Sequence, residues 1–195
     1  MCAVRIHNVG VDLLRSYPTQ AWGQRDHNCY IWEAARATAA APAFFEPIQL
    51  HDGGATFVDG GIVANNPVEE ALKEANIIWP DIGVGVLLSL GTGVAVVKSF
   101  AKKKEAGHDI LEKIVTISMN ADRQAEKFKE GFGATLHKAG KYFRFSVEQQ
   151  ISDVELGDVT SYEKQEDAAD YYVKTKVDML KSCAEEMARP THFGA

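Results

Sequence analysis

Cysteine is scarce in this chain. Only Cys2, Cys29 and Cys183 occur, an odd number with no Cys-x-x-Cys spacing, so the expectation is free thiols in a reducing, cytoplasmic setting. Six histidines are scattered without a metal-site spacing such as His-x-x-x-His, and no metal is expected. Positive charge is also thin. Against 27 acidic residues stand 21 basic ones, the formal charge is −6, and the one basic run is Lys102, Lys103 and Lys104. That balance argues against nucleic acid as a partner, and three lysines are fewer than a lipid-binding basic patch needs. No apolar run is long enough to span a bilayer, and the first residues do not read as a signal peptide. Internal repeats and low-complexity segments are absent as well.

What is present suits a folded core. A chain of 195 residues with 46% hydrophobic content fits one domain. "CAVRIHNVG" and "VDLLRSY" read as two opening strands, and "YIWEAARATAAA" (30–41) as a helix ended by Pro42. "FEPIQL" and "ATFV", joined through Asp52-Gly53, resemble a hairpin. "PVEEALKEANIIW" predicts a helix with Asn66 as cap, Pro67 in first position, and Val68, Ala71, Leu72 and Ala75 as its buried stripe. "VGVLLSL" (84–90) is nearly all apolar, as in a strand covered on both faces. Ile110, Ile114, Ile117, Ala121 and Phe128 mark a further helix, stopped near Gly131 and Gly133, and Phe143, Phe145 and Val147 a further strand. A last helix starts near Tyr162, capped by Thr160, with Val173, Val177, Leu180, Ala184 and Met187 as its apolar stripe. Alternating strands and helices make the class α/β.

Two aspartates precede glycine pairs, and their surroundings separate them. Asp52 in "HDGG" has no apolar flank and reads as a hairpin turn residue. Asp59 in "FVDGGIVANNP" is delivered by Phe57-Val58 to a strand end, after which Gly60 and Gly61 let the chain turn before a helix. Strand ends in α/β sheets are where ligands and catalytic groups collect. Asp59 is therefore expected to be more buried than Asp52 and to suit a general base.

Three linked segments then resemble one family. "WEAARATAAAPAFFEPIQL", "FVDGGIVANNPVEEAL" and "GVLLSLGTG" are similar in content, order and spacing to patatin-like phospholipases. The resemblance is strongest over residues 1–100 and continues more loosely over 101–195. It implies a patatin-like sheet covered by helices, an Asp-Gly-Gly motif at Asp59, Gly60 and Gly61, and Asp59 as the base of a Ser–Asp dyad. It further implies hydrolysis of acyl esters in phospholipids or other acyl lipids, at a membrane surface, with no cofactor. Ala39 stands where the family's Ala-Thr-Ser-Ala-Ala-Pro has serine.

The family's nucleophile motif, Gly-x-Ser-x-Gly, does not occur in this sequence, nor does the glycine-rich oxyanion loop. Residues 1–195 are accordingly expected to be the C-terminal portion of a patatin-like domain, with its N-terminal part missing and apolar sheet surface left uncovered. The alternative is a catalytically inactive remnant, or an interaction module that keeps the patatin frame. Ser89 in "LLSLGTG" has Leu87 two residues before it and reads as a small residue of a buried strand. "GTG" lacks the third glycine and the acidic partner of a dinucleotide site.

Overall fold

The computed structural model describes residues 1–7, 10–18, 27–42, 44–51, 53–93, 121–147, 151, 154 and 158–189. Asp52, the lysine run at 102–104, and Ile110, Ile114 and Ile117 lie outside the described residues. The architecture is α/β. It divides into two compact units, residues 1–67 and residues 68–93 with 121–189.

The first unit is an antiparallel sheet with a helix on it. Its strands are β1 (Cys2–Arg5), β2 (Val11–Leu13), β3 (Ile48–Gln49) and β4 (Thr56–Asp59), in the order β2-β1-β4-β3. Helix α1 (Ile31–Thr38) ends four residues before Pro42, and the short α2 (Gly61–Ala64) follows β4. Strands β3 and β4 form the expected hairpin, with Gly53 in the left-handed region at φ 70°. The core gathers Ala3, Leu14, Ala34, Ala37, Leu50 and Phe57. Ala34 and Ala37 put little more than methyl groups between α1 and the sheet, so the helix backbone lies close to the strands. Phe57, with no exposed surface, fills the space between them. Burying that ring is worth about 1.5–3 kcal/mol.

Polar residues fasten the edges of this unit. Glu33, only 1% exposed, accepts the Tyr30 N–H at 2.8 Å and the His51 N–H at 2.7 Å, and its Oε2 lies 2.8 Å from His51 Nδ1. Burial works to raise the Glu33 pKa. The bonds from Tyr30 and His51 outweigh it and hold the carboxyl below its ordinary value. On the sheet, Asp12 pairs with Arg5 and stands 3.0 Å from His27 Nε2.

The second unit contains α3 (Val68–Ile78), β5 (Leu87–Gly91), α4 (Ala121–Glu130), α5 (Ala134–Lys138), β6 (Tyr142–Ser146), α6 (Tyr162–Thr175) and α7 (Val177–Ala188). β5 and β6 run parallel, with Leu87 opposite Tyr142 and Leu90 opposite Phe145. Val68, Leu72, Phe128 and Tyr142 form the core, and the Phe128 and Tyr142 rings meet nearly edge-on at 5.0 Å. Two expected stripes change. On α3 only Val68 and Leu72 are buried, while Ala71 is exposed. The single C-terminal helix becomes two, because Lys176 leaves helical geometry at φ −107°, ψ 22°. Its buried positions are Ala168 and Cys183, whereas Val173, Val177 and Met187 face outward. The "VGVLLSL" run is not sealed on both faces either: Leu88 is 43% and Leu90 71% exposed.

All three cysteines are free thiols, and burial pushes the Cys183 pKa up. Among the described residues, no helix is long and apolar enough to cross a membrane.

Candidate active site

Asp59 is the last residue of β4, and its register partner on β1 is Ala3. The position is a strand end, as the sequence led us to expect. Asp59 is half-buried, and its N–H donates to the Ala40 carbonyl at 3.0 Å. Its Oδ1 accepts the Gly61 N–H at 2.6 Å, closing a turn in which a carboxylate holds the first backbone donor of α2. Among the described residues no hydrogen bond reaches the second oxygen, Oδ2. One carboxylate oxygen is thus used to fix the side chain.

Gly60 and Gly61 have different tasks. Gly60 has an ordinary right-handed backbone at φ −61°, so positive φ is not why glycine stands here. A Cβ at Gly60 would collide with the backbone carbonyl of Cys2. Close approach of two backbones is the constraint, and it lets the chain leave β4 directly across the end of β1. Gly61 supplies the N–H that orients Asp59.

Ser89 sits elsewhere, inside the second unit. It is buried, and its Oγ accepts Arg144 Nη1 at 3.0 Å, while Arg144 Nη2 binds Asp122 Oδ1 at 3.1 Å. A guanidinium stays protonated and cannot take a proton from a hydroxyl. This arrangement is that of an anchored strand residue. Gly91 serves the same packing, since a Cβ there would strike Arg144 and Ser146.

Sequence reasoning missed the groups that hold Asp59 from behind. Thr38 Oγ1 donates to the Cys2 carbonyl at 2.6 Å, and Ala40 accepts from Asp59. In sequence "ATAAAP" reads as a helix ending and as the counterpart of the family's Ala-Thr-Ser-Ala-Ala-Pro, with no role for Thr38.

The comparisons with known proteins agree on one family. The profile of the family described as Patatin-like phospholipase matches residues 12–72, a stretch that includes Asp59, Gly60 and Gly61. "Phospholipase A I" of Arabidopsis thaliana is 27% identical over 167 residues, covering 82% of this chain and 12% of its own length. "Calcium-independent phospholipase A2-gamma" of Rattus norvegicus is 44% identical over 63 residues, covering 32% of this chain and 8% of its own length. The "cGAMP-activated phospholipase" of Vibrio cholerae is 36% identical over 73 residues, covering 35% of this chain and 21% of its own length. The chain therefore spans only a small part of the relatives it matches. On the profile and the relatives together, residues 12–72 of this chain resemble the patatin-like phospholipase family, within an α/β architecture.

Proposed function

We propose that this chain carries the base of a serine–aspartate lipid acyl hydrolase, with Asp59 as that base. The supporting observation is the asymmetry of its carboxylate: Oδ1 is held by the Gly61 N–H, and Oδ2 has no donor among the described residues. A serine hydroxyl is a weak nucleophile until a neighbouring base takes its proton. In this reading Oδ2 takes that proton as the serine oxygen bonds to the ester carbonyl carbon. Backbone N–H groups hold the oxyanion. The proton then passes to the departing lysolipid or alcohol oxygen, and water releases the fatty acid from the acyl-serine. The serine is not part of a Gly-x-Ser-x-Gly motif in these 195 residues, so polypeptide outside them supplies it. The substrate class is phospholipid or another acyl lipid, met at the cytoplasmic surface of a membrane.

The test uses a fluorophosphonate probe and an acyl-ester assay. This chain alone should neither label nor hydrolyse, and Asp59→Asn should change neither result. In a polypeptide that also carries Gly-x-Ser-x-Gly, Asp59→Asn should lower turnover about 10²–10⁴-fold while lipid binding persists. Stoichiometric labelling of the 195-residue chain, abolished by Ser89→Ala, would show that the wrong serine has been set aside. A second reading, a non-catalytic interaction module on the patatin frame, is favoured by the missing motif. It predicts no loss from Asp59→Asn in either polypeptide.

A further inference from the structure

We propose that Thr38 is a positioning residue for Asp59, acting through the backbone carbonyl of Cys2. The proposal builds on the reading of Asp59 as a base. It adds the device that aims the carboxylate. Thr38 is the last residue of α1, where a threonine hydroxyl ordinarily turns back to a carbonyl one turn earlier in its own helix. Here it reaches out of the helix instead, and Oγ1 donates to Cys2 at 2.6 Å across 36 residues of sequence. The carbonyl it holds belongs to the peptide against which Gly60 is pressed. Two residues after Thr38, the Ala40 carbonyl accepts the Asp59 N–H at 3.0 Å. The segment 38–40 therefore grips both strands that meet at the site, β1 through a side chain and β4 through the backbone.

The geometry explains why that double grip matters. Asp59 lies opposite Ala3, the residue after Cys2, so the peptide that Thr38 fixes borders the strand pair carrying Asp59. Gly60 must lie against that peptide for Gly61 to come within 2.6 Å of Oδ1. Loss of the Thr38 bond lets the Cys2 carbonyl, against which Gly60 rests, tilt. The Gly61 N–H then drifts from the carboxylate, and Oδ2 loses its fixed direction. Ala34, Ala37 and Ala40, all nine-tenths or more buried, let the helix end come near enough for a short threonine side chain to span the gap.

The test is nuclear magnetic resonance on the ¹⁵N-labelled 195-residue chain, comparing wild type, Thr38→Val and Thr38→Ser. Valine keeps the shape and loses the donor; serine keeps the donor and loses the methyl. The Gly61 amide proton, bonded to a carboxylate, should resonate downfield in wild type. In Thr38→Val it should move upfield, and exchange at the Gly61 and Asp59 amides should rise about tenfold relative to the Leu50 amide of the same unit. Thr38→Ser should restore both signals. A merely structural role would raise exchange at Leu50 equally, and that result, or an unmoved Gly61 proton, would overturn the proposal. Should Thr38→Val not fold, Thr38→Ser decides: a Gly61 proton displaced although the hydroxyl is kept also overturns it. These signals are read without substrate. The turnover of Asp59→Asn tests the base reading separately, so either can fail without the other.

Discussion

The two units of this chain treat apolar sequence differently. In the first, an alternating pattern on short antiparallel strands is closed by an alanine-rich helix, and Ala3, Ala37 and Phe57 have no exposed surface. In the second, a nearly unbroken apolar run makes β5, yet Leu90 remains 71% exposed. Runs of this kind are typical of parallel strands covered on both faces. Among the described residues β5 has one strand partner, β6, and its Ser89 face turns to Arg144 and Asp122. The run therefore reports parallel pairing better than it reports burial. The candidate chemistry lies on the first unit, beside its closed core, where backbone contacts hold Asp59 from two sides, as a preorganised group requires.

The contrast is broken most severely by emptying the sealed core. Phe57→Ala should cost about 3–5 kcal/mol, because α1 and the sheet cannot both close on the void. Urea unfolding with amide exchange in residues 1–67 measures it. A loss below 1 kcal/mol would mean that Phe57 is not the keystone its burial implies. In the second unit the comparable test adds volume. A Cβ at Gly133 would run into the Phe128 ring, which is 3% exposed against Tyr142, so Gly133→Ala should cost about 1–3 kcal/mol. Leu90→Lys supplies the counterpart. At an open position it should change stability by no more than about 0.5 kcal/mol, and a larger loss would show that the leucine face is covered in solution.

Much of the first unit was legible because local rules and tertiary structure agree there. The β1 and β2 segments, the alanine-rich α1, the hairpin and the Asp59-Gly60-Gly61 turn all fall where pattern and turn chemistry put them. Two kinds of feature were not legible. One is the choice of face on the C-terminal helices, where Val173 and Val177 seemed the core residues but Ala168 and Cys183 are buried. With helical apolar residues spread around the cylinder, the neighbours decide which stripe is covered, and one such contact is Tyr172 accepting the Ser146 N–H at 3.2 Å. The other is the backbone grip on Asp59. A threonine at a helix end carries no sign in sequence of a bond to a strand 36 residues earlier, and Gly60 looked like a turn glycine although what it avoids is the Cys2 carbonyl.

The smallest expected effect concerns the start of α6. Thr160 was the expected cap, but the hub is Asp158. Its carboxylate accepts the Ser161 hydroxyl at 2.5 Å, the Thr160 hydroxyl at 2.7 Å and the Thr160 N–H at 2.9 Å. These donors, the Ser161 hydroxyl foremost, favour the ionised form and lower the Asp158 pKa from 3.8 to about 2. A depressed carboxyl pKa stabilises the folded state above the unfolded value, and that contribution is lost as pH falls through the folded one. The contacts ahead of Tyr162 should therefore be intact above pH 3.8 and weaken between there and about 2. A ¹³C titration of the Asp158 carboxyl reads the midpoint directly, with circular dichroism following any fraying of the first turn. Ser161→Ala removes the largest contributor and should raise the midpoint toward 3.8, more than Thr160→Val does. A larger shift in Thr160→Val than in Ser161→Ala would mean that Thr160, not Ser161, is the donor that matters most.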